Sequence, residues 1–279
     1  MPTITLDHTD PQTGYRVHGS LTIDPPPPPP PPAPPLRLGV DFPPFEATAH
    51  RGFFPNYRYR ALFADPTKGE DWSDLSAPVA AEPAGVLVHP SAKTVNGLSD
   101  FLDALNRDIY LTYWHEPMGD IDPADYRTNA EAVADIIRDH PNGHRVLLQG
   151  PCLTRYWIDP APGQGQGDPE DWWYDGATAF FNDCYTGGTQ YRTPANMFDT
   201  TISFAAAKSV PWAVRELGGR RITSDVNGSV RAQWLRDLVQ YAEEHDCRAM
   251  AWFCNGATGH LENYPAELAA WQQLLSEHA

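Results

Sequence analysis

The chain has 279 residues, of which 41% are hydrophobic, and it carries a formal net charge of −16. This length suits one large α/β domain with a sizeable core, and a single barrel of roughly 250 residues is common at this length. The negative charge argues against DNA, RNA or an anionic membrane as the main partner, because those surfaces bind clusters of Lys and Arg. A neutral partner fits this charge better.

Targeting signals and cysteine spacing give mostly negative predictions. No apolar run is long enough to cross a bilayer, and the first eight residues lack the basic start and apolar stretch of a secretory signal, so we expect a soluble protein.

The four cysteines contain no CxxC pair and no zinc-like spacing, which predicts buried thiols without a metal or other cofactor. Cys152 and Cys184 each follow a predicted strand, which leaves a disulfide between them open.

The amino-terminal region differs in composition from the rest of the chain. Two alternating segments within residues 1–24 predict a β-hairpin that is too small to be stable alone and that docks on a larger assembly. Residues 25–35 are almost entirely proline, which predicts a stiff polyproline II spacer of roughly 30 Å. The alternative for residues 1–24 is an expression or fusion remnant.

From residue 36 to residue 279, short β-like runs alternate with segments of helical periodicity. This pattern predicts a parallel sheet with crossover helices, and eight strand–helix units in succession predict a (β/α)8 TIM barrel. The predicted strands cover residues 36–42, 57–63, 85–89, 108–115, 145–150, 177–183, 210–215 and 248–253. The predicted helices cover residues 99–106, 123–140, 194–208, 229–245 and 265–277, and we expect long loops between residues 43 and 83.

Two glutamates lie at the carboxyl ends of predicted strands that are far apart in the chain. Glu116 ends the run Trp114-His115-Glu116, and Glu216 follows Arg215. Cleavage of an acetal at neutral pH needs one carboxyl group to protonate the leaving oxygen and another to meet the cationic carbon. The pair therefore suggests a glycosidase, although glutamates at strand ends are also common as helix caps and surface groups.

Three motifs in this order resemble glycoside hydrolase family 26 of clan A, which includes β-mannanases. Trp114-His115-Glu116 resembles the motif of that family on the fourth strand, and Glu216-Leu217-Gly218 resembles its Glu-Phe-Gly on the seventh. The stretch 173–185 is similar to its sixth strand, where a closing tyrosine, here Tyr185, hydrogen-bonds the nucleophile. The resemblance implies Glu116 as general acid/base and Glu216 as nucleophile of a retaining double displacement on a polysaccharide.

The chain also departs from that family. Pro117-Met118-Gly119 replaces the usual Met-Asn-Gly after the His-Glu pair, and Asn182-Asp183-Cys184 precedes Tyr185. These departures leave the substrate open.

Further side chains are candidates for supporting and substrate-binding roles. His115 and Arg215 could keep Glu216 ionised. Trp252 resembles the aromatic residue that floors the catalytic subsite in clan A. For the other candidates, ordinary packing, capping or loop anchoring is the alternative role; they are the aromatic residues Trp114, Trp157 and Trp173 and the polar residues Asp41 and His89.

A hairpin, a stiff spacer and a sugar-active barrel together suggest display on a phage particle, with a cell-bound bacterial enzyme as a close alternative and a cytoplasmic location still open. The activity predicted is that of a retaining endo-glycosidase on a neutral polysaccharide. The rival hypotheses are an inactive barrel that serves as a carbohydrate-binding adhesin or structural virion protein, and an inverting enzyme.

Overall fold

The structure, a computed structural model, describes residues 3–9, 16–22, 34–41, 51–158, 167–255 and 260–279. The chain forms two compact units, residues 1–33 and residues 34–279. In the first unit, β1 (Thr3–Thr9) pairs antiparallel with β2 (Arg16–Thr22), so the two alternating segments do form a hairpin. Its docking role stays a prediction, and residues 25–33 of the predicted spacer lie outside the described residues.

The second unit is built on nine parallel strands in the spatial order β7-β6-β5-β4-β3-β11-β10-β9-β8. They are β3 (Arg37–Asp41), β4 (Tyr59–Phe63), β5 (Leu87–Ala92), β6 (Ile109–Tyr113), β7 (Val146–Gln149), β8 (Cys152–Thr154), β9 (Phe180–Thr186), β10 (Trp212–Gly219) and β11 (Ala249–Phe253). Each predicted strand is present, with ends that differ by a few residues. Strand β8 was not predicted.

The two outermost strands of this order are halves of one interrupted strand. Only Gly150 and Pro151 separate β7 from β8, and β7 pairs with β6 whereas β8 pairs with β9. The carbonyl of Gln149 accepts hydrogen bonds from the backbone N–H groups of Thr178 and Ala179, just before β9, at 2.7 and 3.0 Å. The sheet therefore closes on itself, and the predicted (β/α)8 barrel is confirmed.

Helices cover the outside of the barrel. They are α1 (Ser76–Ala81), α2 (Leu98–Ala104), α3 (Pro123–Asp139), α4 (Arg155–Ile158), α5 (Pro194–Ala207), α6 (Ser229–Glu244) and α7 (Pro265–Glu277). Helix α3 begins as its sequence predicts, because the Asp122 side chain accepts a hydrogen bond from the Ala124 N–H at 2.8 Å and Pro123 occupies the first turn. None of the described helices combines membrane-spanning length with a sufficiently apolar sequence.

The segment between residues 51 and 83 is more regular than predicted. Besides β4, it contains α1 and two short 3-10 turns, Pro66–Lys68 and Ser73–Leu75. Capping produces the first of these turns, because the Asp65 side chain accepts from the Thr67 N–H ahead of a first-turn proline. Such short elements have no helical periodicity in the sequence.

The core has two layers, one inside the barrel and one between strands and helices. The inner layer consists of small and aromatic side chains: Tyr59, Leu87, Tyr110, Cys152, Ala179, Phe181, Ala213, Ala249 and Ala251. Cys184 belongs to the outer layer. A disulfide with Cys152 is therefore ruled out, and all four cysteines are buried without forming disulfides.

Gly150 permits the close contact that closes the barrel, since a Cβ atom there would lie 1.8 Å from the Ala179 carbonyl oxygen. We predict that Gly150→Ala lowers the free energy of unfolding by about 3 kcal/mol, because a rigid backbone atom must move aside. Urea unfolding measures this change. Gly52→Ala is the matched control, because a Cβ atom at Gly52 meets nothing within 4 Å. Equal losses in both variants would contradict the role of Gly150.

Candidate active site

Glu116 reaches the mouth of the barrel through an unusual backbone turn after β6. Trp114 and Glu116 both have φ of 49°, a left-handed conformation that costs energy in residues other than glycine. Backbone hydrogen bonds hold the turn, from Trp114 N–H to the Ala92 carbonyl and from Glu116 N–H to the Cys152 carbonyl, each at 3.1 Å. Strand β6 ends at Tyr113 rather than at the predicted His115, and neighbouring strands fix the direction of Glu116.

Glu216 lies inside strand β10 rather than after it. Val214 pairs with Asn182 and Glu216 with Asp183, so Arg215 is an extra residue that forms a β-bulge. Adjacent side chains of a regular strand point to opposite faces. The bulge breaks this alternation, so Arg215 and Glu216 both point into the barrel, where they are buried.

Two predicted partners of Glu216 contact its carboxylate. The Tyr185 hydroxyl donates a hydrogen bond to Glu216 Oε2. His115 Nε2 lies 3.4 Å from Glu216 Oε1 and also hydrogen-bonds to Asp183 Oδ2. One hydrogen-bond network thus joins the ends of β6, β9 and β10, which are the fourth, sixth and seventh strands of the barrel.

Asp183, on β9, lies at the centre of this network and was missed as a site residue. Its side chain is fully buried, and besides His115 it meets the Glu116 carboxyl group, the Cys152 thiol and the Glu216 backbone N–H. A signal was present in the sequence, because Asp183 ends a predicted strand in the same way that the two glutamates do. Asp183 therefore connects the two candidate catalytic acids.

Burial and mutual repulsion change the proton affinity of these acids. Burial, followed by the charge of Asp183, raises the pKa of Glu116 to about 7. Burial raises the pKa of Asp183 to about 7, even though the charge of Arg215 opposes the shift. Burial and the charges of Asp183, Asp41 and Glu116 raise the pKa of Glu216 well above its usual value. The acids share protons at neutral pH and titrate as a group.

Arg215 supplies positive charge to this cluster from inside the barrel. Its Nη2 atom donates to the carbonyl oxygens of Leu62 at 3.1 Å and His89 at 3.3 Å, and the guanidinium lies 4.0 Å from the centre of the Phe63 ring. The side chain is fully buried. Burial and the charge of Arg215 also lower the pKa of His115 well below its usual value, so this imidazole is neutral at neutral pH.

The prediction for Trp252 as the floor of a sugar subsite is wrong. Ala249 and Ala251 point into the barrel, so Trp252 points outward and is fully buried against Trp271 at a ring distance of 6.3 Å. The next residue, Phe253, lies beside Tyr185 at a ring distance of 6.4 Å. Phe253 therefore takes the place near the site that was expected of Trp252.

Two further substrate-binding predictions are also wrong. His89 is fully buried, and its two ring nitrogens hydrogen-bond to the hydroxyls of Tyr59 at 2.6 Å and Thr112 at 2.8 Å. Trp173 packs on Phe204 of helix α5 at a ring distance of 5.8 Å, on the helix-covered side of the barrel. Neither side chain is placed to meet a sugar at the mouth.

The remaining candidates stay near the site. Asp41 is buried at the end of β3, and its charge acts on Glu216. Trp114 is partly exposed, with the Lys93 ammonium 5.5 Å from its ring centre. Trp157 is partly exposed on α4, and a Cβ atom at Gly119, near Glu116, would lie 3.9 Å from its ring. These aromatic side chains are available to a bound sugar.

The fold is a (β/α)8 barrel with acidic side chains grouped at the carboxyl ends of its strands. No family model matches the sequence, and a search of curated proteins gives no match. Among solved structures, the chain is similar to the cellulose synthase subunit Z of Clostridioides difficile, with a TM-score of 0.54 and 11% identity over 85% of this chain and 99% of that one.

Two other solved structures are similar over most of their length. Cel5A of Thermotoga maritima, crystallised as a mutant form with cellobiose substrate, gives a TM-score of 0.51 with 11% identity over 85% of this chain and 96% of that one. A fungal β-1,4-galactanase gives a TM-score of 0.50 with 10% identity over 86% of this chain and 100% of that one. At such identities the likeness shows the fold alone.

The raised pKa of Asp183 predicts how stability depends on pH. Its usual value is 3.8 and its folded value about 7, so between these values the folded state holds a proton that the unfolded state has lost. The contribution of Asp183 to the free energy of unfolding is therefore largest below about pH 4, and it is lost as the pH rises through 7. Asp183→Asn, which stays neutral, should make this slope shallower by up to about 1.4 kcal/mol per pH unit.

Urea unfolding at a series of pH values measures the slope in wild type and variant. Asp175→Asn is the matched control, because Asp175 is exposed and its replacement should leave the slope unchanged. An unchanged slope in Asp183→Asn would show that Asp183 does not hold the proton.

Proposed function

We propose that the protein is a retaining glycoside hydrolase in which Glu116 is the general acid/base and Glu216 the nucleophile. The observation that carries the proposal is the meeting of both acids around Asp183, with Tyr185 and His115 contacting Glu216. A retaining enzyme needs its two carboxyl groups about 5 to 5.5 Å apart. The Glu116 carboxyl group and the Glu216 backbone N–H both interact with the Asp183 carboxyl group, which makes the two glutamates neighbours in the barrel.

The chemistry proceeds in two balanced steps. In the first, Glu216 attacks the anomeric carbon and forms an ester with the sugar, while Glu116 gives its proton to the departing glycosidic oxygen. In the second, water attacks the same carbon, Glu116 takes the proton of that water, and the Glu216 carboxylate leaves. A Glu116 pKa of about 7 suits both roles, because the group can give and recover a proton at neutral pH.

Charge balance supports this division of roles. Glu116, Asp183 and Glu216 meet one guanidinium in a buried region that also includes the charge of Asp41, so protons must compensate part of the negative charge. Burial and neighbouring charges raise the pKa of Glu216 as well, but the hydrogen bond that it receives from Tyr185 favours its ionised form. We therefore place protons on Glu116 and Asp183. Asp183 is then a positioning residue, because in its neutral state it does not repel the negative charge of Glu216.

The substrate class we propose is a neutral polysaccharide cleaved within the chain, with mannan-type glycans first because of the family 26 resemblance. The net charge of −16 disfavours polyanionic glycans. Partly exposed Trp114 and Trp157 offer faces on which sugar C–H groups can pack. A cavity of about 450 Å³ beside the ends of β9 and β10, lined by residues that include Thr186, Gln190, Arg220 and Arg221, offers hydroxyl, amide and guanidinium partners for sugar hydroxyls.

Display of the barrel on a phage particle or cell surface through the hairpin of β1 and β2 also remains a prediction. Its test is whether residues 1–24, fused to an unrelated reporter domain, bind the particle or envelope that carries the full chain.

Replacement of either catalytic acid should abolish hydrolysis. We predict that Glu216→Ala and Glu116→Ala each lower kcat/KM by at least about 10³-fold, because each variant lacks one half of the double displacement. Reducing-sugar release from a panel of mannans, glucans, xylans and bacterial envelope glycans measures the loss. Glu131→Gln is the matched control, since Glu131 is exposed on helix α3, and it should retain wild-type activity.

The stereochemistry of the first product tests the mechanism separately. Proton NMR during hydrolysis should show the anomeric configuration of the substrate in the newly released sugar, because two successive displacements restore it. Inverted product would indicate an inverting enzyme. Glycan binding that survives both Glu→Ala variants, with no sugar released by wild type, would identify an adhesin and overturn the enzymatic proposal.

A further inference from the structure

Three side chains beside the mouth of the barrel form a cluster that the proposed chemistry does not use. Cys254 follows the last residue of β11, and His260 and Glu262 lie just ahead of helix α7. Cys254 Sγ lies 3.7 Å from His260 Nδ1 and 3.2 Å from Glu262 Oε2. His260 Nδ1 lies 3.4 Å from Glu262 Oε1, so the three polar groups form a small triangle.

The distances between the three groups are close to those between neighbouring ligands of a zinc ion. Zinc binds cysteine sulfur at about 2.3 Å and histidine nitrogen or carboxylate oxygen at about 2.0 to 2.2 Å. With tetrahedral angles, these bond lengths place neighbouring ligand atoms about 3.4 to 3.6 Å apart. The observed separations of 3.7, 3.2 and 3.4 Å, which involve both carboxylate oxygens of Glu262, differ from this range by a few tenths of an ångström. One ligand atom from each of the three residues lies within 4.8 Å of the other two.

The ligand chemistry also selects zinc. A thiolate, an imidazole and a carboxylate are the donor types that zinc takes, whereas magnesium and calcium prefer oxygen donors alone. A thiolate and a carboxylate also neutralise the two charges of the ion. The Cys254 side chain is buried, whereas those of His260 and Glu262 are 22% and 9% exposed, so an ion can enter from the solvent side.

The ligands are held in place before any ion binds. The Cys254 N–H donates to the Asp41 carbonyl at 2.7 Å, which ties the residue to strand β3. His260 immediately precedes the 3-10 turn Leu261–Asn263 and Glu262 lies within it, and fully buried Leu261 anchors this turn in the core. Such preorganisation favours binding, because little conformational entropy remains to be lost.

We infer that Cys254, His260 and Glu262 form a zinc-binding site that fastens the end of strand β11 to the turn ahead of helix α7. Binding releases the thiol proton of Cys254 and forms a zinc–thiolate bond, and a water molecule takes the fourth position. The spacing of the cysteines gave no such indication, since only one cysteine takes part. The inference does not rest on the proposed glycosidase activity.

Metal titration of the full chain, without a histidine tag and after chelator treatment and dialysis, tests the inference. We expect one equivalent of zinc to bind in competition with a chromophoric chelator. With cobalt in its place, we expect the thiolate-to-cobalt band in the ultraviolet and the visible bands of a tetrahedral ion. Cys254→Ser should lose the thiolate band and lower the zinc affinity at least tenfold.

Two further sets of variants make the outcome decisive. His260→Ala and Glu262→Gln should also weaken zinc binding, and they serve if Cys254→Ser fails to fold, as judged by circular dichroism. Cys184→Ala, a buried thiol elsewhere, should bind like wild type. The groups of His115, Cys152 and Asp183 also lie within 4.8 Å of one another, so Cys152→Ala is tested as well. Loss of binding in Cys152→Ala with full binding in Cys254→Ser would overturn the inference, as would no stoichiometric binding by wild type.

Discussion

The buried guanidinium of Arg215 is the interaction on which the site depends. Carboxylates crowded together out of water repel one another, and removing them from solvent costs several kcal/mol each unless a positive charge or a proton compensates. Arg215 lowers the pKa of Asp183 and Glu216 against the effect of burial, but one cation cannot neutralise every acid in contact with it. Bound protons neutralise the negative charge that remains. A site that holds protons at neutral pH can act as an acid.

The barrel departs from regular geometry at the positions where it builds this site. The bulge at Arg215 turns two consecutive side chains to the same side, and the left-handed turn at Glu116 directs its carboxyl group towards Asp183. The interruption at Gly150 brings β8 beside β9, so the Cys152 thiol also reaches Asp183. Each departure costs conformational energy, and the closed sheet around it supplies the hydrogen bonds that maintain it.

The similar solved structures share the fold of this chain but little of its sequence. Structures with 10 or 11% identity share the barrel over almost their entire length, which shows that very different sequences satisfy the same packing requirements. The functional proposal therefore rests on the side chains of this chain, above all on the contacts of Tyr185 and His115 with Glu216. The cluster of Cys254, His260 and Glu262 lies apart from these contacts, beside the end of strand β11.

The sequence by itself determined the repeating strand–helix pattern, and with it the barrel and the rim on which Glu116, Glu216 and Tyr185 lie. These features follow from local periodicity and from strand direction. Tertiary structure alone decided that Asp183 joins the two glutamates and that Trp252 faces the helices, because a shift of one residue in register reverses the face to which a side chain points. It also decided the proton affinities, since the charges that set them come from strands distant in sequence and adjacent only in the closed barrel.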